Sequence, residues 1–189
     1  MDLYEYQKLA LRTESIIDEV KADKNELNHI LNAFIIVGDM LDAYKKKCYY
    51  HNSKKYDEQF QEYARKLLFF AESLNRHHQE PNEEVLPIDP RVFHGILGIL
   101  TESSELAMQL EGGINGKAID AVNIQEELGD GAGGSNSWYS AILHDALGLD
   151  PQETMQKNID KLAKRFGDKF SDYKANNRDL EAERKILEK

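Results

Sequence analysis

The sequence predicts an all-α protein, and three observations carry that expectation. Valine and threonine, which favour strands, number only eight among 189 residues, whereas leucine, alanine, glutamate and lysine are abundant. Apolar residues recur at three- and four-residue intervals through most of the chain, the period of a helix with one buried face. Helix-breaking residues are clustered, with three of the four prolines inside residues 79–90. With 41% hydrophobic residues, a chain of this length can bury a core as one domain or a domain with an appendage.

Only Gly38 and no proline interrupt residues 1–80, so long helices joined by short polar turns are expected there. The first, Leu3 to Val20, aligns Leu3, Tyr6, Leu9, Ala10, Thr13, Ile16, Ile17 and Val20 and ends at Lys21-Ala-Asp-Lys-Asn. The second, Glu26 to Tyr49, turns Leu27, Ile30, Leu31, Phe34, Val37, Leu41 and Tyr44 inward and breaks near His51-Asn52-Ser53. The third, Lys55 to His77, uses Phe60, Tyr63, Ala64, Leu67, Leu68, Ala71 and Leu74. Residues 79–90 cannot be helical throughout and mark the expected boundary.

Asp89-Pro90 then starts a fourth helix, the carboxylate capping exposed N–H groups and the proline filling the first turn. It is expected to stop after Glu111 at Gly112-Gly113-Ile-Asn-Gly116, and a further helix runs from Ile119 to Asp130. Gly131 to Ser137 breaks that helix, and Trp138 to Leu147 resumes the apolar period. Asp150-Pro151 caps a helix reaching Phe166, and Asn177 to Glu188 reads as a charged, mostly exposed helix. The expected division is residues 1–80, an N-terminal helical segment packed on the core; 90–170, the central helices; and 171–189, a charged tail.

A net charge of −10 disfavours binding to nucleic acid. No apolar run approaches the roughly 18–20 residues of a membrane span, and Met1-Asp-Leu-Tyr-Glu-Tyr lacks a basic-then-apolar leader. The single cysteine, Cys48, cannot make an intrachain disulfide and excludes cysteine-rich zinc sites. A cytoplasmic protein is expected.

Charge is unevenly distributed. Residues 91–150 carry two basic and nine acidic side chains, residues 151–189 ten basic and eight acidic. An acidic stretch nearly devoid of lysine and arginine suits a hard cation, and a basic neighbour suits the anion that such a cation brings. Within it, Glu102-Ser-Ser-Glu105 and Glu127-Leu-Gly-Asp130 each place two carboxylates on one helical face. If these four converged, their repulsion would call for a divalent metal, Mg²⁺ retaining several waters. Downstream, Asn158, Lys161 and Arg165 form a row suited to phosphate oxygens.

These motifs resemble the MazG-like all-α nucleoside triphosphate pyrophosphohydrolases, related to dimeric dUTPases and phosphoribosyl-ATP pyrophosphohydrolase. The resemblance covers roughly half the chain. It rests on His94-Gly-Ile-Leu-Gly-Ile-Leu-Thr-Glu102-Ser-Ser-Glu105, Glu126-Glu-Leu-Gly-Asp130, Trp138-Tyr-Ser-Ala-Ile-Leu and Lys157-Asn-Ile-Asp-Lys-Leu-Ala-Lys-Arg-Phe166. Tyr6-Gln-Lys-Leu-Ala-Leu-Arg-Thr13 and Asn177-Arg-Asp-Leu-Glu-Ala-Glu-Arg184 look like the versions carried by phages and bacteria, the host cytoplasm being the location if phage-encoded.

The resemblance implies a helical bundle of that type with an extra N-terminal helical segment and its catalytic helices in 90–170. It also implies hydrolysis of an NTP or dNTP to the monophosphate and pyrophosphate. Glu102, Glu105, Glu127 and Asp130 are then the catalytic and metal-binding acids, for Mg²⁺ or Mn²⁺. Asn158, Lys161, Arg165, Tyr139 and Trp138 contact substrate, His94 has a core or interface role, and the chain forms a homodimer or homotetramer.

The sequence departs from the family twice. Relatives place the aromatic pair three and four residues after the motif's Asp, whereas Gly133 to Ser137 intervene here. In a continuous helix five residues rotate the pair by about 140°, so either the insertion loops out and the helix restarts in phase or the site is remodelled. The second departure is the helical segment of residues 24–80. A non-catalytic helical scaffold derived from the family is the alternative reading. A di-iron bundle needs two Glu-x-x-His motifs, and the chain has one, Glu26-Leu-Asn-His29.

Overall fold

The computed structural model describes residues 1–76 and 82–188. The expected end of the third helix at His77, the side chain of Leu74, and Gln79-Glu80-Pro81 lie outside the described residues. In chain order the elements are α1 (Leu3–Ala10), β1 (Lys21–Asp23), α2 (Lys24–Tyr49), α3 (Ser53–Arg76), β2 (Glu83–Val85), α4 (Pro90–Ile114), α5 (Ala121–Glu127), α6 (Trp138–Ala146), α7 (Pro151–Phe166), α8 (Asp172–Asn176) and α9 (Leu180–Leu187). The fold is all-α, and no described helix is long and apolar enough to cross a membrane.

Two compact units divide the chain differently from the three consecutive segments above: residues 1–20 join 87–158, and residues 21–86 join 159–189. In the first unit, Asp2 caps α1 by accepting the Glu5 N–H at 2.8 Å. The helix stops at Ala10, followed by a 3₁₀ turn over Leu11–Thr13, instead of continuing to Val20. Tertiary contacts end it. The Trp138 indole N–H is shared between Ala10 O (2.9 Å) and Thr13 Oγ1 (3.0 Å). Glu14 is extended, and its almost fully buried carboxylate makes two hydrogen bonds with Arg91, at 2.6 and 2.8 Å. Arg91 also reaches Asp145 at 2.8 Å. Ile16 and Ile17, expected inward, are consequently exposed, while Ala10 and Val20 are buried.

Asp89 and Pro90 open α4 as expected, with Asp89 Oδ1 accepting the Arg91 and Val92 N–H groups at 2.9 and 3.0 Å. The helix continues through Gly112 and Gly113 to Ile114, and the turn comes at Gly116, whose φ of 81° suits glycine.

In the second unit, α2 and α3 form a helical hairpin. Asp23 caps α2, accepting the Asn25 and Glu26 N–H groups. The buried row of α2 is Ile36 and Ala43, extended by half-buried His29, Ala33 and Met40. Of the expected row, Leu27 and Leu31 are half-buried, whereas Ile30, Phe34, Val37, Leu41 and Tyr44 lie one residue further round and are exposed. Both rows have coiled-coil spacing about 100° apart, so periodicity could not choose between them; packing on α3 does. His29 Nε2 lies 2.9 Å from Ser73 Oγ, and Lys47 sits over the Tyr56 ring.

β1 and β2 pair antiparallel at the hairpin's base, with Lys21 opposite Val85. Asp23 also accepts the Asn82 N–H at 3.0 Å, tying the two ends further. Asn176 bridges the far turn, donating to Tyr50 O (3.0 Å) and accepting from Asn52 (2.8 Å). The tail is mostly exposed, as expected, with Glu183 buried and Ala182 and Ile186 half-buried.

Candidate functional site

α4 projects Glu102 and Glu105 from one face, a turn apart, and α5 delivers Glu127 as its last residue. Oxygens of these three carboxylates lie within 4.8 Å of one another. Glu127 is 3% exposed, and its carboxyl sits above the usual carboxylate range because it hydrogen-bonds Glu102, is buried and feels Glu102's charge; hydrogen bonds from Asn123 and Glu105 oppose that rise. No lysine or arginine is among the groups that shift it. Three carboxyl groups converging without a cation form a donor set that a divalent ion fits: hard oxygen ligands carrying surplus negative charge.

Asp130 is not part of the close group. It lies on a π-helical segment, Leu128–Ala132, that continues α5 and remains exposed. Its charge nevertheless reaches two tyrosines. Burial and then Asp130 raise the Tyr6 hydroxyl, which donates to Gly129 O at 3.3 Å. Burial, then Glu102 and Asp130, raise the Tyr139 hydroxyl. Both phenols therefore stay protonated at neutral pH and can donate hydrogen bonds beside the acids. Tyr6 was present in the quoted N-terminal motif but carried no spacing signal linking it to Asp130.

The glycine-rich segment after α5 folds locally. The π-helical segment is followed by a 3₁₀ turn, Gly134–Asn136, and α6 restarts at Trp138. Fully buried Ser137 closes the turn: its Oγ lies 3.2 Å from Gly131 O, 3.1 Å from Gly134 O and 2.7 Å from Ser140 Oγ. Two glycines permit the close packing. A Cβ on Gly98 would lie 2.1 Å from the Tyr139 ring, and one on Gly131 would lie 2.7 Å from Glu102 Cγ. Helix α6 thus re-enters with Tyr139 against α4, one turn before Glu102.

Half-buried His94 makes edge-to-face contacts with both Trp138 and Tyr139. Trp138 is committed to α1 through its indole N–H. Exposed Asn158 is the last residue of the acid-bearing unit. Lys161 and Arg165 belong to the second unit, where Arg165 forms two hydrogen bonds with Glu183, at 2.8 and 2.5 Å. Arg165 therefore already has an anionic partner within the chain.

One further connection had no sequence signal. Asn123 Nδ2 donates to Glu127 Oε1 at 2.7 Å, and Gln109 Nε2 donates to Asn123 Oδ1 at 2.6 Å. No family model, curated protein or solved structure matches the chain.

Proposed function

We propose that the chain hydrolyses a nucleoside triphosphate, NTP or dNTP, to the monophosphate and pyrophosphate in a Mg²⁺-dependent reaction, Mn²⁺ being able to substitute. The observation that carries this reading is the convergence of half-buried Glu102 and Glu105 with buried Glu127. Those three carboxylates, with Asp130 on the following π-helical turn, hold the metal. When bound, the cation polarises a phosphate oxygen and acidifies the attacking water. Water adds across the α–β phosphoanhydride, and pyrophosphate leaves.

Tyr139, packed on Gly98 and kept protonated, offers a neutral donor and an aromatic edge to the nucleotide beside the acids. Its neighbour Trp138 supports that position from α1. Asn158, the α7 residue that belongs to the acid-bearing unit, is the one proposed for phosphate oxygens. The packing of Tyr139 on Gly98, a turn before Glu102, supports this enzyme reading over the disabled scaffold. Homodimeric or homotetrameric assembly in the cytoplasm is part of the proposal, supported by the exposed apolar row of α2.

Purified protein with Mg²⁺ and a panel of NTPs and dNTPs should release pyrophosphate, and Glu105→Ala and Asp130→Ala should abolish release. Turnover of no nucleotide, together with no Mg²⁺-dependent thermal stabilisation by a non-hydrolysable nucleotide, would leave the scaffold reading standing instead. Light scattering that finds monomer alone would remove the assembly.

A further inference from the structure

We infer that Asn123 is a positioning residue for the cation site: it fixes the orientation of the Glu127 carboxylate through a directional amide chain that begins at the backbone of Asp120 and passes through Gln109. The inference rests on the proposed cation-binding role of Glu127 and deepens it by naming what aims that ligand.

Asn123 lies in the first turn of α5, one turn before Glu127 on the same face, so its amide reaches Oε1 at 2.7 Å. Left alone, an asparagine amide can face a neighbour with either end. Here the chain decides. The backbone N–H of Asp120 can only donate, and it donates to Gln109 Oε1 at 3.3 Å. Gln109 must then present Nε2 to Asn123, which it does at 2.6 Å. Asn123 Oδ1 is thereby occupied as acceptor, and its Nδ2 is left to face the carboxylate.

Both ends of the chain demand the same polarity, since an ionised Glu127 can only accept. Asp120 itself is anchored as the cap of α5, its Oδ1 accepting the Val122 and Asn123 N–H groups at 3.0 and 3.2 Å. Gln109 sits on α4, two turns beyond Glu102, so the relay also locks α5 to the helix that carries the other two acids. Such outer partners typically govern metal affinity by roughly 10- to 100-fold through ligand orientation.

The test measures Mn²⁺ binding by electron paramagnetic resonance, with circular dichroism to establish that each variant is folded. Asn123→Asp and Gln109→Glu are near-isosteric, and each adds negative charge close to the site. If only charge mattered, both would bind Mn²⁺ more tightly. The relay predicts the opposite sign. Asn123→Asp sets an acceptor against Glu127. Gln109→Glu forces the Asn123 amide to turn round and do the same, although the hydrogen bonds of residue 109 run to Asn123 and the Asp120 backbone and not to the three acids. Both should weaken Mn²⁺ binding by roughly 10- to 100-fold, and nucleotide hydrolysis lost at low Mg²⁺ should return in part at high Mg²⁺. Neutral Asn123→Leu, which removes the donor without adding charge, should weaken Mn²⁺ binding in the same direction.

If wild-type protein binds Mn²⁺ and these variants bind it equally well or more tightly, the positioning role is overturned while the cation site stands. If wild type binds no Mn²⁺, the cation site itself falls and the inference with it.

Discussion

Two glutamates buried to nearly the same degree, Glu127 at 3% exposure and Glu183 at 4%, experience opposite electrostatics. Glu183 lies between two guanidinium groups, with Arg165 at 2.5 Å and Arg178 at 2.6 Å, and their hydrogen bonds hold its carboxyl down at about 2. Glu127 faces two other carboxyl groups, and its carboxyl is raised. Burial alone therefore does not fix the state of a carboxyl group; its neighbours do. A buried carboxylate neutralised by arginines is complete within its unit. One surrounded by carboxylates retains a need that a cation can meet.

The comparison breaks most visibly if Glu127→Gln leaves cation binding intact. The expected outcome is loss of Mn²⁺ binding and pyrophosphate release by roughly 100-fold or more, together with a metal-free melting temperature that stays level or rises. A fall in that temperature would make Glu127 structural after all. Glu183→Ala should do the reverse. It leaves two guanidinium groups without their buried partner and should cost about 3 kcal/mol in urea unfolding.

A third variant sharpens the account of how the acid-bearing unit is packed. Gly98→Ala drives a methyl group into the Tyr139 ring, so a loss of about 2 kcal/mol is expected. Its near-ultraviolet circular dichroism should also change, because Tyr139 packs against Trp138 and His94.

The smallest effect is in pH dependence, and the two acids contribute with opposite sign. Glu183 has a lowered folded value, so its stabilisation is complete above the ordinary glutamate value and is lost as pH falls toward about 2. Glu127 has a raised folded value, so its favourable contribution exists at low pH and is lost as pH rises through that value. Metal-free protein should gain stability from Glu127 as pH falls through its raised value, and Mg²⁺ added at neutral pH should raise the melting temperature. Both responses, read by thermal denaturation, should disappear in Glu127→Gln.

What could be read from the chain divides along the range of the responsible contacts. The Asp89-Pro90 and Asp150-Pro151 helix starts and the Glu102/Glu105 pair are local signals, and α4 and α7 begin where expected, whereas α5 ends at Glu127 and leaves Asp130 on the π-helical segment. The end of α1 was misread because it depends on Trp138 and Arg91, far along the chain. The pairing of β1 with β2 joins two three-residue segments about 60 residues apart, neither with a strand pattern of its own. Arg165 had the right spacing for a phosphate row, but Glu183, 18 residues away, holds it. The Gln109–Asn123–Glu127 relay uses neutral amides, which leave no mark in charge or hydropathy. The four acids are legible in the sequence; the amide chain that reaches Glu127 is not.

The clasp between Lys21 and Val85 also bears on the order in which a growing chain acquires structure. On the ribosome, α2 and α3 are neighbours and can close against each other soon after emerging. Helix α1, made first, must wait for Trp138, 128 residues later than Ala10, before its end is secured. By joining the two ends of the early hairpin, the clasp returns the nascent polypeptide to where α1 departed and shortens the search that the last-made helices must complete.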